Sequence, residues 1–92
     1  MAYEIEFSGR FKKDAKKCEK RSYDISLLSD VLKTLREKGK LAAKYKPHKL
    51  SGDYSNRWEC HIKPDWLLIW KLDENKKTIY LERTGTHSDL FS

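Results

Sequence analysis

Three strand-like runs at residues 57–62, 66–72 and 77–83 are separated only by Lys63-Pro64-Asp65 and by residues 73–76. Connections this short cannot cross over a sheet, so the runs must pair in sequence as an antiparallel meander. Proline suits the first central position of a tight turn, which makes Lys63-Pro64-Asp65 a hairpin tip. If Ile62 faces Trp66 across that hairpin, Cys60 faces Leu68 and Trp58 faces Trp70. An apolar set then occupies one side of the sheet, while Arg57, Glu59, His61 and Lys71 occupy the other.

The first half supplies what covers the apolar side. Tyr3, Ile5 and Phe7 alternate with Glu4 and Glu6, the period of a strand with one buried face, and Ser8-Gly9 ends it. Phe11, Ala15 and Cys18 then recur at helical spacing, with lysines on nearly all of the opposite face. Asp24 is placed to cap a second helix whose apolar positions are Ile25, Leu28, Leu32 and Leu35, with Gly39 as its stop. Residues 40–56 read as loop, because Pro47 excludes a regular helix and Gly52 marks a bend. The expected fold is α+β and spans residues 1–92 as one domain. An N-terminal strand, two helices and a three-stranded meander form one twisted, mainly antiparallel sheet, with helices on one face and an open, polar, concave face on the other.

Charge narrows the partners. The 92 residues carry a net charge of +6. Residues 1–50 hold 14 basic and 7 acidic side chains, against 6 and 7 in residues 51–92, so the positive field belongs to the first half. Such a surface favours a polyanion over a neutral small molecule, unless Lys12, Lys13, Lys16 and Lys17 are only a solvated helix face. No apolar run approaches the roughly twenty residues of a membrane span. The opening Met-Ala-Tyr-Glu-Ile-Glu lacks the basic and apolar regions of a secretory signal. Two cysteines without framework spacing point to free thiols, and the expected compartment is the reducing cytoplasm.

All three histidines, His48, His61 and His87, lie in short segments rich in charge: Lys46-Pro-His48, Cys60-His61-Ile-Lys-Pro-Asp65-Trp66 and Glu82-Arg83-Thr-Gly-Thr-His87. Imidazoles beside an aspartate, an arginine and lysines are the parts needed to move protons next to a phosphate. RNA carries its own nucleophile, so its cleavage needs a base for the 2′-OH, an acid for the departing 5′ oxygen and cations for the phosphate. His87 with His48 or His61 suits the proton-transfer pair, which needs no metal cofactor. Asp65 would orient an imidazole or itself transfer a proton. Arg83 and Lys46 are candidates for phosphate contact, and Trp66 or Phe91 for stacking on a splayed base.

Plainer roles exist for several of these residues. Trp66 shares parity with Leu68 and Trp70 and so also reads as core. Phe91 also reads as a pin for the C-terminus, and Asp65 as a turn residue. Arg83 can partner Glu82 or Asp89, and Lys46 can be a solvated loop charge. A zinc site made of Cys60, His61, His48 and His87 matches no standard spacing.

The order of elements resembles the YafQ branch of the RelE/ParE toxin superfamily. So do His48, Leu50-x-Gly52, Glu59-Cys60-His61-Ile-x-Pro-Asp65-Trp66-Leu-Leu-Ile and Glu82-Arg83-Thr-Gly-Thr-His87-x-x-Leu90-Phe91. The likeness runs nearly end to end. It implies a toxin of a type II toxin–antitoxin system: a metal-independent endoribonuclease that enters the ribosomal A site and cuts messenger RNA. By position it implies His48, His61, Asp65 and His87 as the catalytic group, with Trp66 and Phe91 shaping the site. It also implies a cognate antitoxin, expected to be acidic and DNA-binding. The branch often places arginine where this chain has Trp58. Here the arginine is Arg57, on the opposite side of the strand. Two other classes share the fold or the surface: a non-enzymatic gyrase inhibitor like ParE, and a plain RNA- or ribosome-binding module.

Overall fold

The computed structural model describes residues 2–51 and 56–91; the bend expected at Gly52 lies outside them. Strand β1 (Glu4–Phe7) leads into helices α1 (Gly9–Lys20) and α2 (Ile25–Lys38). A 3-10 turn (Ala43–Tyr45) and the two-residue strand β2 (His48–Lys49) follow. Strands β3 (Arg57–Lys63), β4 (Trp66–Asp73) and β5 (Thr78–Gly85) form the meander, and a short helix α3 (His87–Phe91) ends the fold. The sheet order is β1-β5-β4-β3-β2, with β1 parallel to β5 and the other pairs antiparallel. Among the described residues, no helix is long and apolar enough to cross a membrane.

The helices begin and end where their side chains allow. The Ser8 hydroxyl accepts from the Phe11 amide at 2.9 Å, and the Asp24 carboxylate accepts from the Ser26 amide at 3.1 Å. Gly39 closes α2 with φ +71° in the left-handed region, and a Cβ there would run into the Tyr3 ring. Phe11 and Cys18 of α1 and Leu28, Val31 and Leu35 of α2 are buried against Cys60, Leu68, Trp70, Ile79 and Leu81 of the sheet. This is the apolar layer implied by the alternation in the strands. Cys18 and Cys60 are both buried free thiols.

Three expectations are corrected. Residues 40–56 are not all loop: β2 adds a fifth strand, too short to show a period of its own. In the first hairpin the pairing Trp58↔Trp70 and Cys60↔Leu68 is as expected, but Lys63, not Ile62, pairs with Trp66, because the register shifts between His61 and Lys63. The face away from α1 and α2 is not wholly open and polar. Leu67 and Ile69 form a second small core there under Leu90 of α3, with Leu50 at its side. The run Trp66-Leu67-Leu68-Ile69-Trp70 is apolar throughout because β4 is buried on both faces.

Candidate active site

The strand that escaped prediction brings the first histidine to the others. His48 on β2 pairs directly with Glu59 on β3, and its Nε2 lies 3.3 Å from Glu59 Oε1. Its Nδ1 is 3.0 Å from the Lys46 carbonyl, which is turned towards it by the left-handed conformation of Lys46, φ +51°. His61, two residues after Glu59, shares that face of β3. Its ring centroid is 6.5 Å from that of His48. Its Nδ1 lies 3.2 Å from the Pro64 carbonyl, so the turn it flanks also orients it.

His87 opens α3 and completes the row, 6.2 Å from His61 between ring centroids, with Phe91 another 6.0 Å beyond. Asp65 meets His87 from the hairpin tip: its Oδ1 accepts from the His87 amide at 3.3 Å and lies 3.6 Å from Nδ1. Four aromatic rings therefore run side by side along the face opposite α1 and α2. The site is shallow. His48 and His87 are about half exposed, and Phe91 is 42% exposed, a large apolar ring left in water at the end of the row.

A carbonyl oxygen can only accept a hydrogen bond, so the nitrogen facing it must carry the proton. A hydrogen bond from His61 to Pro64 thus requires the tautomer with its proton on Nδ1, which leaves Nε2 as the unprotonated nitrogen. His48 faces an oxygen with each nitrogen, the Lys46 carbonyl at Nδ1 and the Glu59 carboxylate at Nε2. Beside His61 a hollow of about 240 Å³ is lined by Lys44, Lys46 and Lys63, three cations at the edge of the histidine row.

Two residues expected here are occupied elsewhere. Trp66 is 3% exposed, with its ring edge-on to Tyr23 and its Nε1–H donating to Thr84 Oγ1 at 2.9 Å. It belongs to the core and offers no face to a nucleobase, as its parity with Leu68 and Trp70 allows. Arg83 pairs with neither Glu82 nor Asp89. Its guanidinium forms a fork on Asp14 of α1, at 2.7 and 3.1 Å, and the same carboxylate accepts from the Thr84 amide. Lys46 is exposed beside His61, as a phosphate contact would require.

Glu59 was not expected in the site and is the buried carboxylate under His48; its position two residues before His61 was the available signal. Lys44 and Lys63 were missed because loop lysines carry no pattern. Arg57 lies on the histidine side and bonds Glu82 at 2.8 Å, whereas Trp58 stacks on Trp70 on the other face. Cys60 is fully buried on the helix side, where desolvation pushes its thiol up to about 12. It cannot join His61 around a metal, and no group of three or more His, Cys, Asp or Glu among the described residues could hold one.

Comparison with known proteins gives the family. Residues 3–92 match the family described as "Bacterial toxin of type II toxin-antitoxin system, YafQ". The mRNA interferase toxin YafQ of Escherichia coli K12 is 40% identical over 89 residues, covering 96% of this chain and 95% of that one. In the crystal structure of the E. coli DinJ-YafQ toxin-antitoxin complex, a similar chain has a TM-score of 0.90 at 39% identity, with 100% of both chains covered. A metal-bound toxin from Helicobacter pylori has a TM-score of 0.88 at 42% identity, covering 99% of this chain and 100% of that one. The chain belongs to the YafQ family of bacterial type II toxins.

Proposed function

We propose that this protein is an endoribonuclease that cuts messenger RNA in the ribosomal A site without a metal, by attack of the RNA's own 2′-OH. The observation that carries the reading is the unbroken row His48, His61, His87 with Asp65 beside it. Neighbouring imidazoles about 6 Å apart can straddle one phosphodiester. One nitrogen takes the 2′-OH proton while O2′ attacks phosphorus, and another protonates the 5′ oxygen as its bond to phosphorus breaks. The products are a 2′,3′-cyclic phosphate and a 5′-hydroxyl. His48, with acceptors at both nitrogens, suits the cationic, proton-donating side. His61 and His87, with Nδ1 directed at Pro64 and Asp65, present Nε2 for accepting. Lys44, Lys46 and Lys63 would stabilise the phosphate charge, and Phe91 would stack on a splayed base.

The shallow site is the reason to invoke the ribosome. A row of half-exposed side chains has no cleft in which to immobilise a flexible strand, and a near-attack geometry held from outside supplies much of the missing rate. The exposed lysines of α1 would meet ribosomal RNA, and action there places the protein in the cytoplasm. A cognate antitoxin belongs to the same reading: the similar E. coli toxin is seen in complex with one, and a net charge of +6 suits an acidic partner.

The test is cleavage of mRNA on programmed ribosomes. Wild type should cut, and substrate with 2′-deoxyribose at the cut site should resist. His61→Ala and His87→Ala should each lose about 10²- to 10⁴-fold, the usual worth of a general acid or base. Full activity in both variants would remove the histidine row from the mechanism, and binding without any cleavage by wild type would leave a non-catalytic module. Expression alone should arrest growth, and the adjacent acidic reading frame should rescue it.

A further inference from the structure

The last turn of α1 is tied to the helix that carries His87. Arg21, the C-cap of α1, places its guanidinium fork on Asp89 of α3, with Nη1 2.7 Å from Oδ2 and Nη2 3.1 Å from Oδ1, across 68 residues of sequence. Lys17, one turn earlier, adds a longer contact at 3.4 Å. Asp89 also accepts from the Thr86 amide at 3.0 Å, while its own amide donates to the Thr86 hydroxyl at 3.1 Å. This reciprocal pair is a capping box, so the carboxylate that caps α3 from within is also the one held by Arg21 from outside.

A five-residue helix does not hold its own orientation. Leu90 is the buried side chain of α3 and packs on Leu67 and Ile69, a single apolar anchor that does not by itself define the roll of a short helix. Asp65 reaches His87 only at 3.3 and 3.6 Å from a side chain that is 72% exposed. The fork on Asp89 is the second fixed point. It is shielded on one side only, with 13% of the Asp89 side chain exposed against 34% of Arg21, and its geometry is bidentate. Gly85 makes room for it: the backbone there has φ +150°, and a Cβ would come within 2.8 Å of Asp89 Oδ2.

We infer that Arg21 is a positioning residue for cleavage: by gripping Asp89 it fixes the roll of α3, and with it the place of His87 and Phe91 in the row. This rests on reading the row as a ribonuclease site. Arg21 touches none of the four residues assigned to catalysis and acts through α3.

The experiment compares full-length wild type with Arg21→Ala, Arg21→Lys, Asp89→Asn and the double variant Arg21→Ala/Asp89→Asn. Two readouts are used: kcat and KM on ribosome-bound mRNA, and NMR signals of residues 86–91, including the His87 ring. Arg21→Ala and Asp89→Asn should each lower kcat about tenfold to a hundredfold, the cost of a misplaced reacting group, with KM nearly unchanged. The double variant should be no worse than the poorer single one. Arg21→Lys should recover part of the loss, because lysine keeps the charge but not the fork. Signals of 86–91 should shift or broaden while those of α2 and β3 stay in place. Wild-type kcat in Arg21→Ala with unchanged signals would overturn the inference, as would a loss confined to KM with α3 still ordered. Were wild type inactive on RNA, the nuclease reading would fall, while loosening of 86–91 in Arg21→Ala would still establish the tether.

Discussion

His48 and Glu59 face one another across the β2–β3 pairing with 3.3 Å between Nε2 and Oε1, yet the imidazole is half exposed and the carboxylate side chain only 7% exposed. A carboxylate so enclosed depends on the charge or hydrogen bond beside it. The imidazole, reachable from solvent, is the partner that a substrate can also touch. Any effect of Glu59 on a bound substrate must therefore pass through the His48 ring, whose Nε2 is 3.3 Å away.

Glu59→Gln keeps the shape and removes the charge. On the ribonuclease reading proposed above, the fold should persist and cleavage should fall at least tenfold through kcat, because His48 loses the carboxylate beside its Nε2. Single-turnover cleavage beside a thermal melt checks this; an unchanged rate would confine Glu59 to a structural role.

Trp66 is a test of core against site. Trp66→Ala should cost about 3–5 kcal/mol of stability, the range for emptying a large aromatic from a core. Trp66→Phe should cost about 1 kcal/mol through loss of the bond to Thr84. Cleavage by the folded Trp66→Phe protein should stay near wild type. A tenfold fall in kcat without a shift in melting would return the indole to the substrate.

Acid should weaken the hold on α3. Arg21 first, then the Thr86 amide, keeps the Asp89 carboxyl well below the usual carboxylate range. A group whose folded pKa is depressed contributes stability that is fully present above its unfolded value, about 3.9, and is lost as pH falls below it. Denaturant unfolding should show wild type losing more stability below about pH 4 than Asp89→Asn does. Parallel curves would mean the pair contributes nothing measurable.

Neutralising Lys12, Lys13 and Lys16, all exposed on α1, should weaken ribosome association and flatten its dependence on salt, leaving cleavage at saturation unchanged. Lys17 is left intact because it touches Asp89. An unaltered salt slope would make these lysines a solvated face.

Local chemistry made much of this fold legible. The alternation of Tyr3, Ile5 and Phe7, the cap at Asp24, the stop at Gly39 and the pairing of Trp58 with Trp70 are all decided within a few residues or by parity. What stayed hidden depends on contacts between distant segments. His48-Lys49 is strand only because β3 lies alongside. Ile62 falls at an irregularity that no period announces. Leu90, not Phe91, pins α3, since the choice between neighbouring apolar residues is made by Leu67 and Ile69. In the site, the three histidines and Asp65 carried chemistry in their types, whereas Glu59 looked like one polar-face residue among several. Asp14 on Arg83 and Arg21 on Asp89 join the two ends of the sequence and leave no local trace.

Strand β1 pairs with β5, and Ser8 and Asp14 bond to the last residues of that strand. Residues 1–75 contain α1, α2 and the β3–β4 hairpin. The strand that receives β1 and the segment bearing His87 both lie beyond them. Contacts of such long sequence separation form late and slowly. The order of strands thus makes the histidine row depend on the pairing of greatest sequence separation: the row is complete only once β5 has joined β1 to the meander.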